Sequence, residues 1–287
     1  MRHPSWFYSE QVRGFVGVYE QPHYYEIAFS YQDVRRQIDF FEEVAKKYSN
    51  VPVKRFLDIC CGPSPQLREI AERGYEAVGL DVSERMLDYL KSKSQQENLK
   101  IETVEGDMND FELKVKCDFA FLLSGSVFVD SNMQFLQHLN CVANALKKGG
   151  IYLLENFPLS LQPSRREEWK SSKGDIEVKT VYETNVENEL QELYEDRITL
   201  EVKDHGEKKT YSSTYHTKNF APQELQLIIE LNGRFGFIGW FQHLKLDPLT
   251  KISNDNVVIL RKERQTKSQR ADSNPNGGAF IRKILSR

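Results

Sequence analysis

The 287-residue chain lacks several features that would place it in a special class of protein. It has no apolar run close to the roughly 20 residues needed to cross a bilayer. Its first residues lack the basic-then-apolar pattern of a signal peptide, and its four cysteines show no disulfide-framework spacing. We therefore expect a cytoplasmic protein with no membrane partner.

Positive charge is scarce outside the C-terminal end of the chain. Residues 261–287 contain eight Lys and Arg against two Asp and Glu, a net of +6, so the other 260 residues carry −9 of the total of −3. Because nucleic acids are held by clustered positive charge, no nucleic-acid partner is expected for this acidic body. Residues 264–287 are predicted to be a solvated, disordered tail, with RNA or anionic lipid as alternative partners.

Strand and helix signals alternate over residues 53–156. The strand signals are RFLDIC, EAVGLD, KIETVEGD, CDFAFLLSG and IYLLENF. The helix signals are PQLREIAERG, SERMLDYLKSKSQQ with Ser83 as N-cap, and NMQFLQHLNCVANALKKGG, which the glycines are predicted to close. This alternation predicts an α/β fold with a parallel sheet covered on both faces.

The pattern changes after Pro163. Polar and apolar residues alternate between Trp169 and Thr217, with many β-branched side chains and a turn signal at 204–206. This predicts an antiparallel layer over the mouth of the parallel sheet. A helix is predicted near 222–231 and two more strands after it, while an amphipathic helix is predicted over about 33–47, ahead of the first strand.

Acidic residues lie at the ends of three successive predicted strands. Asp58 precedes a turn in which only Gly62 is glycine, so the turn is not a G-x-G-x-x-G dinucleotide fingerprint. Asp81 ends the second strand and Asp107 follows the third. Ligands of parallel sheets bind beyond the carboxyl ends of the strands, so the three carboxylates together predict one ligand site. The alternatives are that Asp81 serves only the dipole of the next helix and that Asp107 belongs to a plain turn.

The order of these segments is similar to that of a known family. LDICCGPSPQL, GLDVSERML, EGDM, CDFAFLLSGSVF and LKKGGIYLLEN resemble, in sequence order, the motifs of class I S-adenosylmethionine-dependent methyltransferases. The resemblance implies a Rossmann-like, mostly parallel seven-stranded sheet with helices on both faces. The inserted antiparallel β layer after the fifth strand is similar in placement to that of small-molecule members, the sugar-amine and glycine N-methyltransferases.

The resemblance also implies a division of the chain. Residues 1–50 would form an N-terminal lid and helix, and 51–160 with 217–263 would form the cofactor-binding core. Residues 161–216 would form the inserted subdomain on the substrate side, followed by the tail over 264–287.

S-adenosyl-L-methionine is the cofactor that the resemblance implies. By position, Asp58 would anchor its methionine end, Gly62 would allow close approach, and Asp81 would bind the ribose diol. The other implied cofactor-binding residues are Cys60, Val82, Met86, Asp107, Met108, Leu123, Ser124 and Tyr24. The family usually has glycine at the position of Cys60 and commonly at that of Ser64, so we expect a tighter loop that still binds.

His216 and Tyr25 are the candidate catalytic residues. His216 leads from the inserted layer towards the closing helix, and its alternative is a half-exposed strand histidine. Tyr25 is placed to contact substrate, and its alternative is packing of the N-terminal segment. The vicinal Cys60 and Cys61 have no Cys/His cluster nearby in sequence, so no metal site is expected.

Three further side chains and one departure from the family pattern bear on the substrate site. Arg35 is a candidate to hold a carboxylate of cofactor or substrate, and its alternative is a solvated helix face. Glu155 and Asn156 end the fifth predicted strand and are candidates to face substrate. Phe128 stands near the place where sugar-amine relatives often have a histidine, so that histidine has no counterpart here.

These residues predict in-line transfer of a methyl group to an amine or hydroxyl of a small-molecule acceptor. The sequence leaves the oligomeric state open, and a homodimer is one of the alternatives. One alternative is an RNA or protein methyltransferase that docks through the basic tail. Another is a non-catalytic partner protein that binds S-adenosylmethionine. A nicotinamide oxidoreductase is disfavoured because the first turn lacks the required glycine spacing.

Overall fold

The computed structural model describes residues 17–159 and 164–263, so the predicted tail over 264–287 lies outside the described residues. The helices are α1 (Pro22–Ala28), α2 (Val34–Tyr48), α3 (Pro65–Glu72), α4 (Glu84–Gln96), α5 (Asn132–Ala145) and α6 (Pro222–Asn232). The strands are β1 (Arg55–Ile59), β2 (Glu76–Asp81), β3 (Ile101–Glu105), β4 (Cys117–Leu122), β5 (Leu146–Glu155), β6 (Arg165–Lys173), β7 (Ile176–Asn188), β8 (Leu193–Asp204), β9 (Glu207–Lys218), β10 (Phe235–Gln242) and β11 (Asn256–Lys262).

Seven strands form the central sheet in the order β10-β11-β5-β4-β1-β2-β3. β1 to β5 pair in parallel, and β11 runs antiparallel to both of its neighbours. Strands that are covered on both faces have continuous apolar sequences, as in CDFAFL of β4, where every residue is buried. The predicted Rossmann-like, mostly parallel seven-stranded sheet is confirmed.

Helices cover both faces of this sheet. α2, α3 and α4 bury Phe41, Leu67 and Leu87 against one face, while α5 and α6 bury residues such as Phe135 and Ile228 against the other. Ser83 Oγ accepts a hydrogen bond from the backbone N–H of Met86, which confirms the predicted N-cap of α4.

The end of α5 differs from the sequence prediction. The helix stops at Ala145 rather than at the glycines, because Leu146 already pairs with Cys117 of β4. A Cβ on Gly150 would lie 2.6 Å from the backbone oxygen of Asp118. Glycine is therefore required here for close approach of β5 to its neighbour, not for closing the helix.

The second sheet is antiparallel in the order β6-β7-β8-β9. β8 and β9 join through His205 and Gly206, whose φ angles of 47° and 88° suit a tight hairpin turn and confirm the turn predicted at 204–206. β6 was not predicted as a strand. Its sequence RREEWKSSK is mostly charged and polar, as is common in edge strands, whose charges prevent pairing with other chains.

The inserted layer leaves and re-enters the core at one place. Leu159 and Phe220 form an isolated parallel bridge, and the N–H of Phe220 donates to the oxygen of Pro158 at 3.0 Å. The N–H of Lys218, the last residue of β9, also donates to Val129 O at 2.7 Å. The two ends of the insertion are thus held side by side against the central sheet.

The N-terminal segment lies between the inserted sheet and the helices α3 and α4. Ile27 and Ala28 of α1 pack with Val178 and Leu200 of the inserted layer, and Trp169 Nε1 donates to Ala28 O at 2.7 Å. On its other side, Glu26 pairs with Arg68 of α3. Across residues 17–159 and 164–263, every helix is too short or too polar to span a membrane.

Candidate active site

A cavity of about 350 Å³ lies between the carboxyl ends of the central strands and the inserted layer. Ten of the eleven predicted cofactor-binding residues line it: Asp58, Cys60, Gly62, Asp81, Val82, Met86, Asp107, Met108, Leu123 and Ser124. The structure therefore brings the strand-end residues together, as expected for ligand sites of open parallel sheets. Their individual roles in binding stay predictions.

Asp58 is held at the end of β1 by the loop that follows it. Ser64 Oγ donates to Asp58 Oδ2 at 2.6 Å and accepts from the N–H of Leu67 at 3.1 Å, so Ser64 also caps α3. Burial raises the pKa of Asp58 well above its ordinary value, and the hydrogen bond from Ser64 opposes that rise. A positively charged ligand group nearby would favour the ionised form of this carboxyl.

Asp81 joins the loop after β1 to the start of α4. Its Oδ2 accepts from the N–H of Gly62 at 2.7 Å, and its Oδ1 accepts from the N–H of Ser83 at 2.8 Å. Burial raises the pKa of Asp81, while these backbone hydrogen bonds act in the opposite direction. A carboxylate has about four acceptor positions, so Asp81 keeps capacity to accept from ligand hydroxyls.

The turn after β3 is fixed by a histidine that the sequence analysis missed. Burial lowers the pKa of His138 to about 4, so its ring is neutral. Its Nδ1–H donates to Met108 O at 2.9 Å, and its Nε2 accepts from Tyr152 Oη at 2.6 Å. Asp107 Oδ1 accepts from the N–H of Asn109 at 2.8 Å. The hydrogen bond from His138 therefore holds Met108 in place at the cavity wall.

Three non-glycine residues at the cavity have left-handed backbone: Cys60 (φ 57°), Ser64 (φ 31°) and Ser124 (φ 54°). By the resemblance described above, the methyltransferase family usually has glycine at the position of Cys60 and commonly at that of Ser64. Glycine adopts positive φ freely, whereas other residues are strained there. The loop therefore keeps the conformation that glycine would favour, and Ser64 compensates through its two hydrogen bonds.

This strain leads to a stability prediction for the cysteine pair. Cys60→Gly should raise the free energy of unfolding by about 1 kcal/mol because it removes a strained left-handed residue. Cys61→Gly should lower it, because Cys61 is buried with ordinary φ and its sulfur fills the space beside Gly79. Urea denaturation of both variants measures the difference. Equal effects would show that backbone strain does not dominate at Cys60.

Tyr24 and His216 do not line the cavity, contrary to the sequence predictions. Tyr24 Oη donates to Asp204 Oδ2 at 2.6 Å and ties α1 to the inserted layer. His216 Nδ1 lies 2.7 Å from Glu187 Oε2. Successive strand residues point to opposite faces, so Tyr215 faces the cavity and His216 faces away. The geometry gives His216 no access to a ligand there.

The other candidate residues differ in their position relative to the cavity. Tyr25 lines the cavity, and burial raises its pKa, so its hydroxyl keeps its proton. Arg35 has a side chain that is 82% exposed beside Glu69. Glu155 is buried and contacts the loop that contains Ser124.

Sequence reasoning missed several residues that line the cavity, among them Tyr19, Gln32, Gln66 and Tyr215. The alternation along β9 was available as a signal for Tyr215, since Ser213 and Tyr215 share one face. The glutamines carry no comparable local signal.

Comparison with known proteins identifies the part of the chain that contains the strand ends at the cavity. Residues 56–150 match the model of a family described as a methyltransferase domain. This region is a methyltransferase domain. It contains Asp58, Asp81 and Asp107, so the cavity lies at the carboxyl edge of the methyltransferase domain.

A curated relative shares low sequence identity with this chain. A Geobacillus protein named as a methyltransferase is 25% identical over 117 residues, which make up 40% of this chain and 47% of that protein. The alignment with this chain thus spans about half the length of that curated relative.

Solved structures match over most of the chain. A S-adenosylmethionine-dependent methyltransferase from Clostridium acetobutylicum has a TM-score of 0.70 at 14% identity, covering 84% of this chain and 96% of that one. DesVI from Streptomyces venezuelae has 0.65 at 17%, covering 80% and 91%. An amino pentose methyltransferase from Micromonospora echinaspora, solved with S-adenosylmethionine bound, has 0.64 at 16%, covering 88% and 99%. At these identities the likeness establishes the fold.

S-adenosylmethionine is the expected cofactor of the methyltransferase domain, and the residues of the cavity fit it. Asp81 retains acceptor capacity for a diol, and the side chains of Met86 and Met108 offer apolar surface for a ring. The buried carboxyl of Asp58 suits a cationic amine.

Proposed function

We propose that this protein transfers a methyl group from S-adenosylmethionine to an amine or hydroxyl of a small molecule. The observation that carries the proposal is a single cavity with two kinds of wall. Strand-end residues of the methyltransferase domain form one wall, and aromatic side chains that include Tyr19, Phe128 and Tyr215 form the other. A donor on the first wall and an acceptor on the second would be held at reacting distance.

S-adenosylmethionine would supply a methyl group on a sulfonium; the acceptor would bond to the methyl carbon in line with the carbon–sulfur bond, which would break as S-adenosylhomocysteine leaves. The chain orients the acceptor and excludes water from it. Burial raises the pKa of Tyr25 and of Tyr215, so both hydroxyls act as hydrogen-bond partners rather than as bases. Among the described residues, no histidine lines the cavity. A neutral amine attacks without a strong base, whereas a hydroxyl usually benefits from one, so we favour an amine acceptor.

The two walls of the cavity support a proposed organisation of the chain into a lid, a cofactor core and an acceptor side. Residues 1–50 would supply the lid, 51–160 and 217–263 the cofactor core, and 161–216 the acceptor side. The amino pentose methyltransferase among the structural neighbours is consistent with a sugar amine as the acceptor, by analogy of fold alone.

Methylation of a small amine is the direct test. The full chain is incubated with labelled S-adenosylmethionine and a panel of amino sugars and other amines, each paired with its hydroxyl analogue. We expect a mass gain of one methylene on an amine. Failure of S-adenosylhomocysteine to raise the melting temperature would contradict the proposal. Binding of S-adenosylhomocysteine without methylation of any acceptor, in the panel or in cell extract, would instead support a non-catalytic partner protein.

Removal of one aromatic side chain tests the acceptor wall separately. Tyr215→Ala should raise the acceptor KM about tenfold, because it removes a ring that lines the cavity and packs edge-on against Phe128, with 5.0 Å between the ring centres. The dissociation constant for S-adenosylhomocysteine should stay close to that of the wild type. Tyr211→Ala is the matched control, because Tyr211 stacks on Tyr24 away from the cavity. Equal KM values for the two variants would count against this acceptor wall.

A further inference from the structure

Glu155, the last residue of β5, is buried behind the cavity and is only 3% exposed. Three separate elements donate to its carboxylate. The N–H of Ser124 reaches Oε2 at 3.3 Å, Gln37 Nε2 of α2 reaches Oε1 at 3.3 Å, and His243 Nε2 lies 2.9 Å from Oε1. A buried carboxylate persists only when it is paired and hydrogen-bonded, and these donors meet that condition.

Three glutamines close this arrangement into a ring of hydrogen bonds. Gln66 Nε2 of α3 donates to Gln37 Oε1 at 2.9 Å and to Gln32 Oε1 at 3.0 Å. Gln32 Nε2 donates in turn to Ser124 Oγ at 3.3 Å. The circuit therefore runs from Glu155 through the three glutamines to Ser124 and back to Glu155. Gln32, Gln66 and Ser124 line the cavity, whereas Glu155 does not.

The ring acts on a strained part of the backbone. Ser124 and Asn156 have φ angles of 54° and 53°, and the N–H of Gly125 donates to Glu155 O at 3.1 Å. Non-glycine residues keep this conformation only where the surroundings enforce it. The side chain and the backbone of Glu155 both accept hydrogen bonds from the loop after β4 and so hold Ser124 in this left-handed conformation.

We propose that Glu155 is a positioning residue that shapes the Ser124 loop for cofactor binding, and that His243 strengthens this action through its ion pair with Glu155. The inference rests on the proposed function, since its ligand is S-adenosylmethionine or the product S-adenosylhomocysteine. His243 has a side chain that is 38% exposed and lies outside the cavity wall. It therefore acts through Glu155 rather than by touching ligand.

The pair makes cofactor affinity depend on pH in a defined direction. The hydrogen bond to Glu155 raises the pKa of His243. The charged groups that face His243 are Glu155 of β5 and, more distantly, Asp255 ahead of β11. The imidazolium is present below the raised pKa and is lost as pH rises through it. As the pH rises through this pKa, the contribution of His243 to cofactor affinity should decrease. Only the weaker hydrogen bond of the neutral ring to Glu155 then remains.

Calorimetric titration of the full chain with S-adenosylhomocysteine tests the proposal. Glu155→Gln should raise the dissociation constant about tenfold or more, because its amide NH₂ would face a donor. His243→Gln should raise it several-fold at about pH 6 and less at about pH 8. His243→Lys should retain the affinity of the wild type at about pH 6 and exceed it at about pH 8, because its charge persists.

His216→Gln is the matched control, since this histidine pairs with Glu187 on the outer face of the inserted layer. It should bind as the wild type does at every pH. If Glu155→Gln fails to fold, the two His243 variants decide, because this side chain is half-exposed. Wild-type affinity and an unchanged pH profile in the His243 variants would overturn the proposal while leaving the proposed function intact. Absence of binding to the wild type would overturn both.

Discussion

Replacement of Asp81 by Asn should raise the dissociation constant for S-adenosylhomocysteine about 100-fold. The carboxylate accepts from the backbone N–H groups of Gly62 and Ser83, and the cofactor diol is expected to use its remaining lone pairs. Asn has one acceptor oxygen, and its NH₂ would face a backbone donor or the ligand. The substitution therefore weakens the ligand contact and releases the loop after β1 together.

Calorimetry measures this effect directly, with Asp88→Asn as the control. Asp88 lies in α4, the helix that follows Asp81, but its side chain is 62% exposed and pairs with Lys91, so its loss should leave affinity unchanged. Wild-type affinity in the Asp81 variant would show that Asp81 serves only the backbone of the two loops, the alternative left open by its position ahead of α4.

Replacement of Phe119 by Ala should lower the free energy of unfolding by about 3–5 kcal/mol. Phe119 lies in β4 at the middle of the sheet and is fully buried. Its ring centre is 5.4 Å from that of Phe41 in α2 and 5.1 Å from that of Phe56 in β1. The interior is close-packed, so removal of the ring leaves a cavity that rigid strands cannot fill.

Urea denaturation gives the size of this loss. Phe119→Leu is the control, since it keeps most of the apolar volume and should cost about 1 kcal/mol. A loss in the Ala variant no larger than in the Leu variant would mean that α2 relaxes into the space. The contact between α2 and the sheet would then be less tightly packed than the ring distances indicate.

The parts of this structure that the sequence predicted well depend on local pattern. Asp58 and Asp81 lie at the carboxyl ends of β1 and β2 and Asp107 lies just beyond β3, and parallel strands place their carboxyl ends at one edge. The positions of three strand ends in the sequence therefore suffice to predict that the three residues lie close together. The same reasoning located Ser124 after β4, although it gave no indication of its left-handed backbone.

The parts that were missed depend on direction or on distant contacts. His216 and Tyr215 are adjacent, and a one-residue difference in strand register decides which of them faces the cavity. The charged edge strand β6 becomes a strand by pairing with β7, not through its own apolar pattern. The hydrogen bond from Gln32 to Ser124 joins positions 92 residues apart, and no sequence periodicity encodes such a contact.

The point where the inserted layer joins the core has a consequence for protein engineering. The bridge between Leu159 and Phe220 holds the two ends of the insertion side by side, so the chain enters and leaves the layer without disturbing the order of the central strands. A layer of different length or sequence can be grafted between these two residues at little entropic penalty. In the proposed division of the cavity, such an exchange would alter the acceptor wall and leave the strand ends of the methyltransferase domain unchanged.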